Sequence, residues 1–592
     1  MQNYHTHTSH SNFFTSFKDS HMQYVDYAKR AKEVGCQILS SVEHGWQGNH
    51  PRCWQIAQDY GLKFIFGTEA YWVRDRKEPD RTNAHIVILA RNQQGFFAIN
   101  RMLSQANEDG FYYVPRVDLE LLLQLNPADV MITTACVSFW GKVPKDRERQ
   151  DLDFHEDILD SFTKLAKHFG SSLFLEVQAH NTEWQRVVNR QCLQMRARYR
   201  LKLIAGCDSH YAYPEQIEMR NVLREESRVH IEMDHERDAN VYEDYPDEAT
   251  LRRRFINQGV LTPDQIDEAI ASTDLILGFE DISYNKARKL PTIYPDLTQE
   301  ERNQLYLDRV WGAWESRKEQ ILSDARQIYD LCVNYWHMSS DEIEEPTEQR
   351  YIDAINYETD IVVSTGTADY FLLDSELVRL GQEKGGYLTP TGRGSAGGFF
   401  TNNLLGLTTI DRISFPVKLY PERFVTAERL ATSLPDIDLN LDRQEPFAEA
   451  QAELMGEGHS YPMIAYGTLK TKSAFKMYAR ANGLDAQLSN TISAQIERYE
   501  KAVQYADEDD KDLIDIADYV ESQYISYIEE SKIYQGIIVS KSQAPCGFLI
   551  HNGDIRSEIG LIKVKNQAKN KEILCTVIDG ATADEFGYVK ND

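Results

Sequence analysis

"KLIAGCDSH" (residues 202–210) is an apolar run that closes on two metal-binding side chains, Asp208 and His210, set two apart. Residues two apart on an extended chain face the same side. The run therefore reads as a strand that presents a carboxylate and an imidazole together at one edge. Upstream, His5 and His7 repeat the spacing. Between these two pairs lie "QILSSVEH", "KFIFGTEAYWV", "AHIVILA", "VMITTACV" and "LFLEVQ", each short and apolar. Helical stretches separate several of them, such as "SHMQYVDYAKRAKEVG", with Met22, Val25, Ala28 and Ala31 at helical spacing, Ser20 as cap and Gly35 at the end. This alternation over residues 1–215 predicts a parallel α/β domain, a barrel in outline.

In such a fold, active residues collect at strand ends. His44 follows "ILSSVE", Glu69 follows "KFIFGT", His85 opens "HIVILA" and Cys136 follows "VMITTA". Imidazole, carboxylate and thiolate at converging ends suit Zn²⁺, Mn²⁺ or Fe²⁺, and so many ligands suit more than one ion. One such residue alone is ordinarily packing or surface; their joint occurrence on successive strands is the signal. His10, His21 and His50 lack that placement and read as packing or surface residues.

The bulk properties exclude some classes. A chain of 592 residues predicts two to four domains. No apolar run approaches a transmembrane length, the N-terminus has no signal-peptide pattern, and eight cysteines without a CxxC pair fit a reducing cytoplasm. A net charge of −28 opposes wholesale nucleic-acid binding. The charge is segregated, however. Acid concentrates in "YADEDDKDLIDIADYVESQ" (505–523), expected as a solvated helical face, while Lys and Arg gather in "KTKSAFKMYAR" (470–480) and "IKVKNQAKNK" (562–571).

"HTHTSHSN…KDS", "VEHGWQGN", "GTEAYW", "AHIVILARNQQGFFAINRMLSQA", "GFYYVPRVD", "ACVS" and "CDSHY" together resemble the polymerase-and-histidinol-phosphatase (PHP) domain that opens the bacterial C-family replicative DNA polymerases. The resemblance implies a distorted α/β barrel with about three metal ions held by His5, His7, Asp19, His44, Glu69, His85, Cys136, Asp208 and His210. It further implies a metal-dependent 3′→5′ exonuclease. Glu43 stands where the family customarily has aspartate.

Further on, "TPTGRGSAGGFF" (389–400) is a Gly-rich loop whose N–H groups and Arg393 could take phosphate oxygens. In "LPDIDLN", Asp436 and Asp438 flank an isoleucine in an expected strand, which would put both carboxylates on one face for Mg²⁺. Either feature alone is weak. In order and spacing, residues 370–440 resemble the palm of the C-family polymerases, including the "ERF…ER" segment with Arg423 and Arg429. "AYGTLKTKSAFKMYARANG" resembles the start of that family's thumb, where Lys470, Lys472, Lys476 and Arg480 would hold DNA phosphates. "EFGYVKND" resembles the palm strand bearing the third catalytic carboxylate, Asp592, with Lys590 directed to the incoming triphosphate.

The resemblance thus implies template-directed nucleotidyl transfer. Two Mg²⁺ ions on Asp436, Asp438 and Asp592 would activate the primer 3′-OH, and Arg393, Gly394, Ser395, Arg423 and Lys590 would hold the dNTP. The expected layout is a PHP domain at 1–280, palm at 281–440, a helical thumb at 441–535 and the rest of an α+β palm at 536–592. The family's fingers follow this last aspartate, so a separate C-terminal chain is expected to complete the enzyme on primer–template DNA and to carry any sliding-clamp contact. No exonuclease insertion interrupts the barrel, which points away from the PolC branch, and a bacterial or bacteriophage source fits equally. Two other readings are an autonomous metal-dependent phosphoesterase and a non-catalytic replisome assembly module.

Overall fold

The computed structural model describes residues 1–14, 18–144, 151–225, 240–339, 342–390, 394–432, 434–435, 437–508, 511–566 and 571–591. Two compact units emerge. The first comprises Met1–Tyr284, Ile464–Gln543 and Arg556–Ile578; the second comprises Asn285–Met463, Ala544–Ile555 and Asp579–Asp592. Among the described residues no helix is long and apolar enough to cross a membrane.

An eight-stranded sheet organises the first unit: β1 (Ile38–His44), β2 (Lys63–Trp72), β3 (Ala84–Ala90), β4 (Phe111–Tyr112), β5 (Val114–Val117), β6 (Val130–Thr133), β7 (Leu173–Val177) and β8 (Lys202–Ala205). The order is β8-β7-β6-β3-β2-β5-β4, with β1 also on β2. The sheet is mixed where sequence predicted parallel. β1 and β2 run parallel, as do β6–β7 and β7–β8, but β3 is antiparallel to both β2 and β6. The reason lies in the link before it: residues 73–83 contain no helix, and without a crossover a strand returns antiparallel. The first residues draw the sheet edges together. Thr6 bridges to Ser209 just past β8, and its hydroxyl lies 2.9 Å from that of Ser40 in β1.

Covering helices bury one face each. In Glu156–Phe169, Ile158, Phe162, Leu165, Ala166 and Phe169 follow helical spacing and are buried, Phe162 alone contributing about 1.5–3 kcal/mol. Helix Tyr24–Val34 ends on Gly35 as expected, but its N-cap is Gln23, not Ser20. Ser20 lies ahead of the helix, where its hydroxyl donates to the carbonyl of His210 at 3.0 Å and accepts the Met22 N–H at 3.1 Å. Helix Gln93–Glu108 carries a buried polar stripe of Asn100, Ser104 and Asn107. These side chains serve backbone groups: Asn100 donates to Ser557 O, and Leu561 and Lys563 N–H donate to Ser104 and Asn107. They thereby dock the hairpin of Leu561–Asn566 and Lys571–Thr576.

Helices Thr471–Ala481, Ala486–Tyr505 and Ile525–Ser531 share a small core of Phe475, Ala479, Ile492, Ile496 and Ile528. The acidic stretch between the second and third of these helices is, over its described residues, not a helical face. The helix stops at Tyr505, and short 3₁₀ turns follow at Lys511–Leu513, Ile516–Asp518 and Ser522–Tyr524. Asp515, for one, takes the Ala517 N–H for itself, in the way short acidic side chains compete with helix formation.

In the second unit, helices Gln299–Asn334, Glu348–Ser364 and Ala368–Glu383 pack around Trp314, Tyr351, Phe371 and Phe400. Val589–Asn591 forms the expected strand, antiparallel to Phe548–Ile550. The segment Ile437–Asn440, by contrast, is in no strand. Pro435 can donate no ladder hydrogen bond, and pairing begins only past the acidic motif, at the isolated bridge Leu388–Leu441.

Candidate functional site

The antiparallel β3 explains how residues from opposite ends of their strands meet. His44 closes β1 and Glu69 lies late in β2, whereas His85 sits at the start of β3, opposite Tyr71. Because β3 runs backwards, its beginning lies at the edge where β1 and β2 end. Cys136 and Asp208 follow β6 and β8 in loops where Ala135 (φ 43°) and Asp208 (φ 48°) adopt left-handed backbone. That conformation is uncommon outside glycine and concentrates at functional sites.

These side chains converge. His7, His44 and His210, then His5, His7 and Asp208, then His44, Glu69 and His85 form three groups, each with ligand atoms within 4.8 Å of one another. The two remaining candidates adjoin them. Asp19 Oδ2 is 2.9 Å from both His44 Nε2 and His210 Nε2, and Cys136 Sγ is 3.5 Å from His85 Nδ1. All nine residues singled out in the sequence are therefore brought together.

The donor set fits divalent cations. His5 Nε2 stands 3.4 Å from both Glu69 and Asp208, and His7 Nε2 stands 3.1 Å from Asp208. Yet these buried nitrogens and the facing Asp208 Oδ1 lack hydrogen-bond geometry. Each orphaned buried polar atom costs about 1–3 kcal/mol, and a cation among them would satisfy all of them. Burial, aided by the neighbouring imidazoles of His44 and His210, pulls His7 down to about 3, which keeps its ring neutral and able to ligate. Burial also pushes the Cys136 thiol well up, a preference that a bound cation reverses.

A supporting shell escaped the sequence reading. Glu176 in β7 receives His5 Nδ1 at 2.8 Å, Tyr4 OH at 2.8 Å and Thr133 Oγ1 at 2.7 Å. Its signal was a lone acid within an apolar strand. Arg220 and Arg224 reach Asp19 Oδ1 at 2.7 and 3.1 Å, leaving Oδ2 for the histidines. Glu43 does not face the cluster. It accepts from Thr8 N–H, Thr8 Oγ1 and Ser11 Oγ, and so anchors the turn whose Ser11 sits 3.0 Å from His7 Nδ1.

In the second unit, Arg393, Asp436 and Asp592 lie outside the described residues. Gly394 has φ 82°, and a Cβ there would overlap the Asp438 carboxylate, so the Gly-rich loop rests directly on that acid. Ser395 precedes the turn Ala396–Gly398. Lys590 and Arg429 line a cavity of about 390 Å³ beside Lys286, Arg288 and Pro435, and Lys590 Nζ pairs with Asp584 at 3.1 Å. Arg423 is exposed on the short helix Pro421–Phe424 and lines no part of this cavity. Of the expected DNA contacts in the first unit, Lys470 and Arg480 are exposed, Lys476 is half-buried, and Lys472 is paired with Glu497 at 2.7 Å.

Comparison with known proteins gives two family matches: "PHP domain" over residues 3–180 and "Bacterial DNA polymerase III alpha NTPase domain" over residues 325–592. Among curated relatives, the DNA polymerase III subunit alpha of Aquifex aeolicus is 26% identical over 519 residues, covering 82% of this chain and 41% of that protein. The Chlamydia muridarum subunit is 24% identical over 98% of this chain and 48% of its own length, and that of Helicobacter pylori 24% over 80% and 39%. The chain thus spans less than half the length of these relatives. By these two matches and these relatives, the chain is a counterpart, by similarity, of the N-terminal portion of the bacterial C-family DNA polymerase III α subunits.

Proposed function

We propose that this chain is the N-terminal part of a DNA-directed DNA polymerase, and that its PHP unit hydrolyses phosphodiesters as a metal-dependent 3′→5′ exonuclease. The observation that carries the hydrolytic half is the convergence of His5 Nε2, His7 Nε2, His44 Nδ1, the Glu69 carboxylate and Asp208 Oδ1 as buried atoms that have no hydrogen-bond partner among the described residues. Zn²⁺, Mn²⁺ or Fe²⁺ held by the nine residues, in up to three sites, would supply Lewis acidity and a water of lowered pKa. The chain's own work is positional. Glu176 fixes the ring of His5, Ser11 that of His7, and the two arginines aim Asp19 at His44 and His210.

The polymerase half is supported by the similarity to the polymerase III α subunits and by the contact between Gly394 and Asp438. Asp436, Asp438 and Asp592 would hold two Mg²⁺ ions. The loop of Arg393, Gly394 and Ser395, with Lys590 and Arg423, would hold the dNTP, and Lys470, Lys472, Lys476 and Arg480 would position primer–template DNA. On this reading dNTPs and primer–template DNA are the substrates, in the bacterial cytoplasm.

The test uses the purified chain, a 5′-labelled primer–template, Mn²⁺ and dNTPs, with wild type beside Asp208→Ala. Primer shortening that vanishes in the variant is expected. Shortening that persists in the variant overturns the nuclease assignment.

A further inference from the structure

His180 belongs to none of the three ligand groups, yet it lines the cavity of about 170 Å³ onto which His44, His85, Cys136, Asp208 and His210 open. It follows β7 by three residues and is buried. Its backbone is pinned, since Gln258 Nε2 donates to its carbonyl at 2.6 Å and Asn181 N–H donates to Asn240 O at 2.8 Å. Its ring is pinned as well. The Tyr242 N–H donates to Nδ1 at 2.9 Å, and the ring tilts against Trp184 with centroids 6.0 Å apart.

The bond from Tyr242 decides the tautomer. A backbone N–H can only donate, so Nδ1 must be the unprotonated nitrogen, and the ring proton sits on Nε2. Burial pulls the group down to about 4, so near neutral pH the ring carries that single proton. Among the described residues, no hydrogen-bond acceptor takes the Nε2 proton. A protonated Nε2 cannot ligate a cation. It can donate to an anion bound beside one.

Resting on the hydrolytic reading above, we infer that His180 is a phosphate-contacting residue: its Nε2–H donates a hydrogen bond to a non-bridging oxygen of the scissile phosphoester in the metal-lined cavity. It transfers no proton. The phosphate is thereby oriented by a neutral donor, while Arg220, which lines the same cavity, is already engaged by Asp19 and Glu243.

The experiment compares wild type, His180→Ala and His180→Gln in the full chain. Three quantities are read: bound Mn²⁺ by elemental analysis, affinity of the Mn²⁺-loaded protein for inorganic phosphate, and rate of shortening of a labelled single-stranded oligonucleotide. Melting temperature checks folding. Unchanged metal content is expected in both variants. The alanine variant should bind phosphate about 10- to 100-fold more weakly, as befits loss of one hydrogen bond to a charged group, with kcat/KM falling in parallel. Glutamine, whose amide still donates, should recover part of both. An alanine variant with phosphate affinity and rate within about twofold of wild type overturns the inference, as does one that loses Mn²⁺. A wild type that holds Mn²⁺ but neither binds phosphate nor shortens DNA overturns the hydrolytic reading itself, and the role of His180 with it.

Discussion

Asn591 donates through Nδ2 to Asp374 Oδ1 at 2.9 Å, with both side chains buried and the second Asp374 oxygen left without a partner. A carboxylate so placed has lost water and gained one neutral hydrogen bond in return. Burial accordingly pushes Asp374 up to about 8.

That shift has a defined sign. An unfolded aspartate titrates near about 4, so between there and pH 8 the folded protein keeps a proton that the unfolded chain releases. Stability present at low pH is therefore lost as pH rises toward 8, at up to about 1.4 kcal/mol per pH unit. Asp374→Asn should melt close to wild type near pH 4 and progressively above it toward pH 8. A melting difference that stays flat across that range would disprove the assignment.

Gly394→Ala should destabilise the second unit by about 1–3 kcal/mol, because its φ of 82° disfavours a side chain and the new Cβ meets Asp438. The same change made in an Asp438→Ala background should cost less, since the overlap is gone. Denaturant titration of the four proteins of this cycle reads the coupling directly, and additive costs would show that loop and carboxylate do not touch.

Glu176→Gln keeps the size of the side chain and removes its charge behind His5. Partners in this position typically set metal affinity by about 10- to 100-fold. Competition of the apo protein with a fluorescent chelator for Mn²⁺ should show a loss in that range, and undiminished affinity would leave Glu176 a purely structural residue.

The basic helix offers a test of DNA contact by salt dependence. Each phosphate neutralised contributes about 0.9 to the slope of log K against log salt on duplex DNA. Lys470→Ala should lower the slope by about that much. Lys472→Ala should lower it less, because its ammonium is already matched by Glu497. Equal changes for the two would mean that the pair opens when DNA binds.

The cluster of candidate ligands was legible in the sequence because its members stand at the ends of apolar strands: an aspartate or histidine that ends such a run needs a partner. What escaped was whatever depends on a neighbour distant in sequence. The reversal of β3 turns on a linker without a helix, and Glu176 declares its purpose only when His5 arrives from 171 residues away. The Ser20 cap failed because the helix starts later, at Tyr24, where Asp26 takes the Gln23 N–H, while Ser20 is held ahead of it by the carbonyl of His210, remote in sequence. Around Asp438 the alternation of acid and isoleucine resembled a strand, but alternation fixes only which residues share a face, and the partner that makes a strand begins later, at Leu441.

Each compact unit is assembled from three separate stretches of chain. Asp374 finds its hydrogen-bond donor only at residue 591, and the N–H of Lys289 meets the carbonyl of Gly587 at 2.8 Å. On a ribosome that makes chain from one end, helices such as Ala368–Glu383 must wait, partly uncovered, until the strand at Val589–Asn591 has emerged. Such late closure exposes apolar surface during synthesis. Shortening the gene to isolate either unit therefore removes a wall of the unit it was meant to keep, and point substitution is the sounder way to probe them separately.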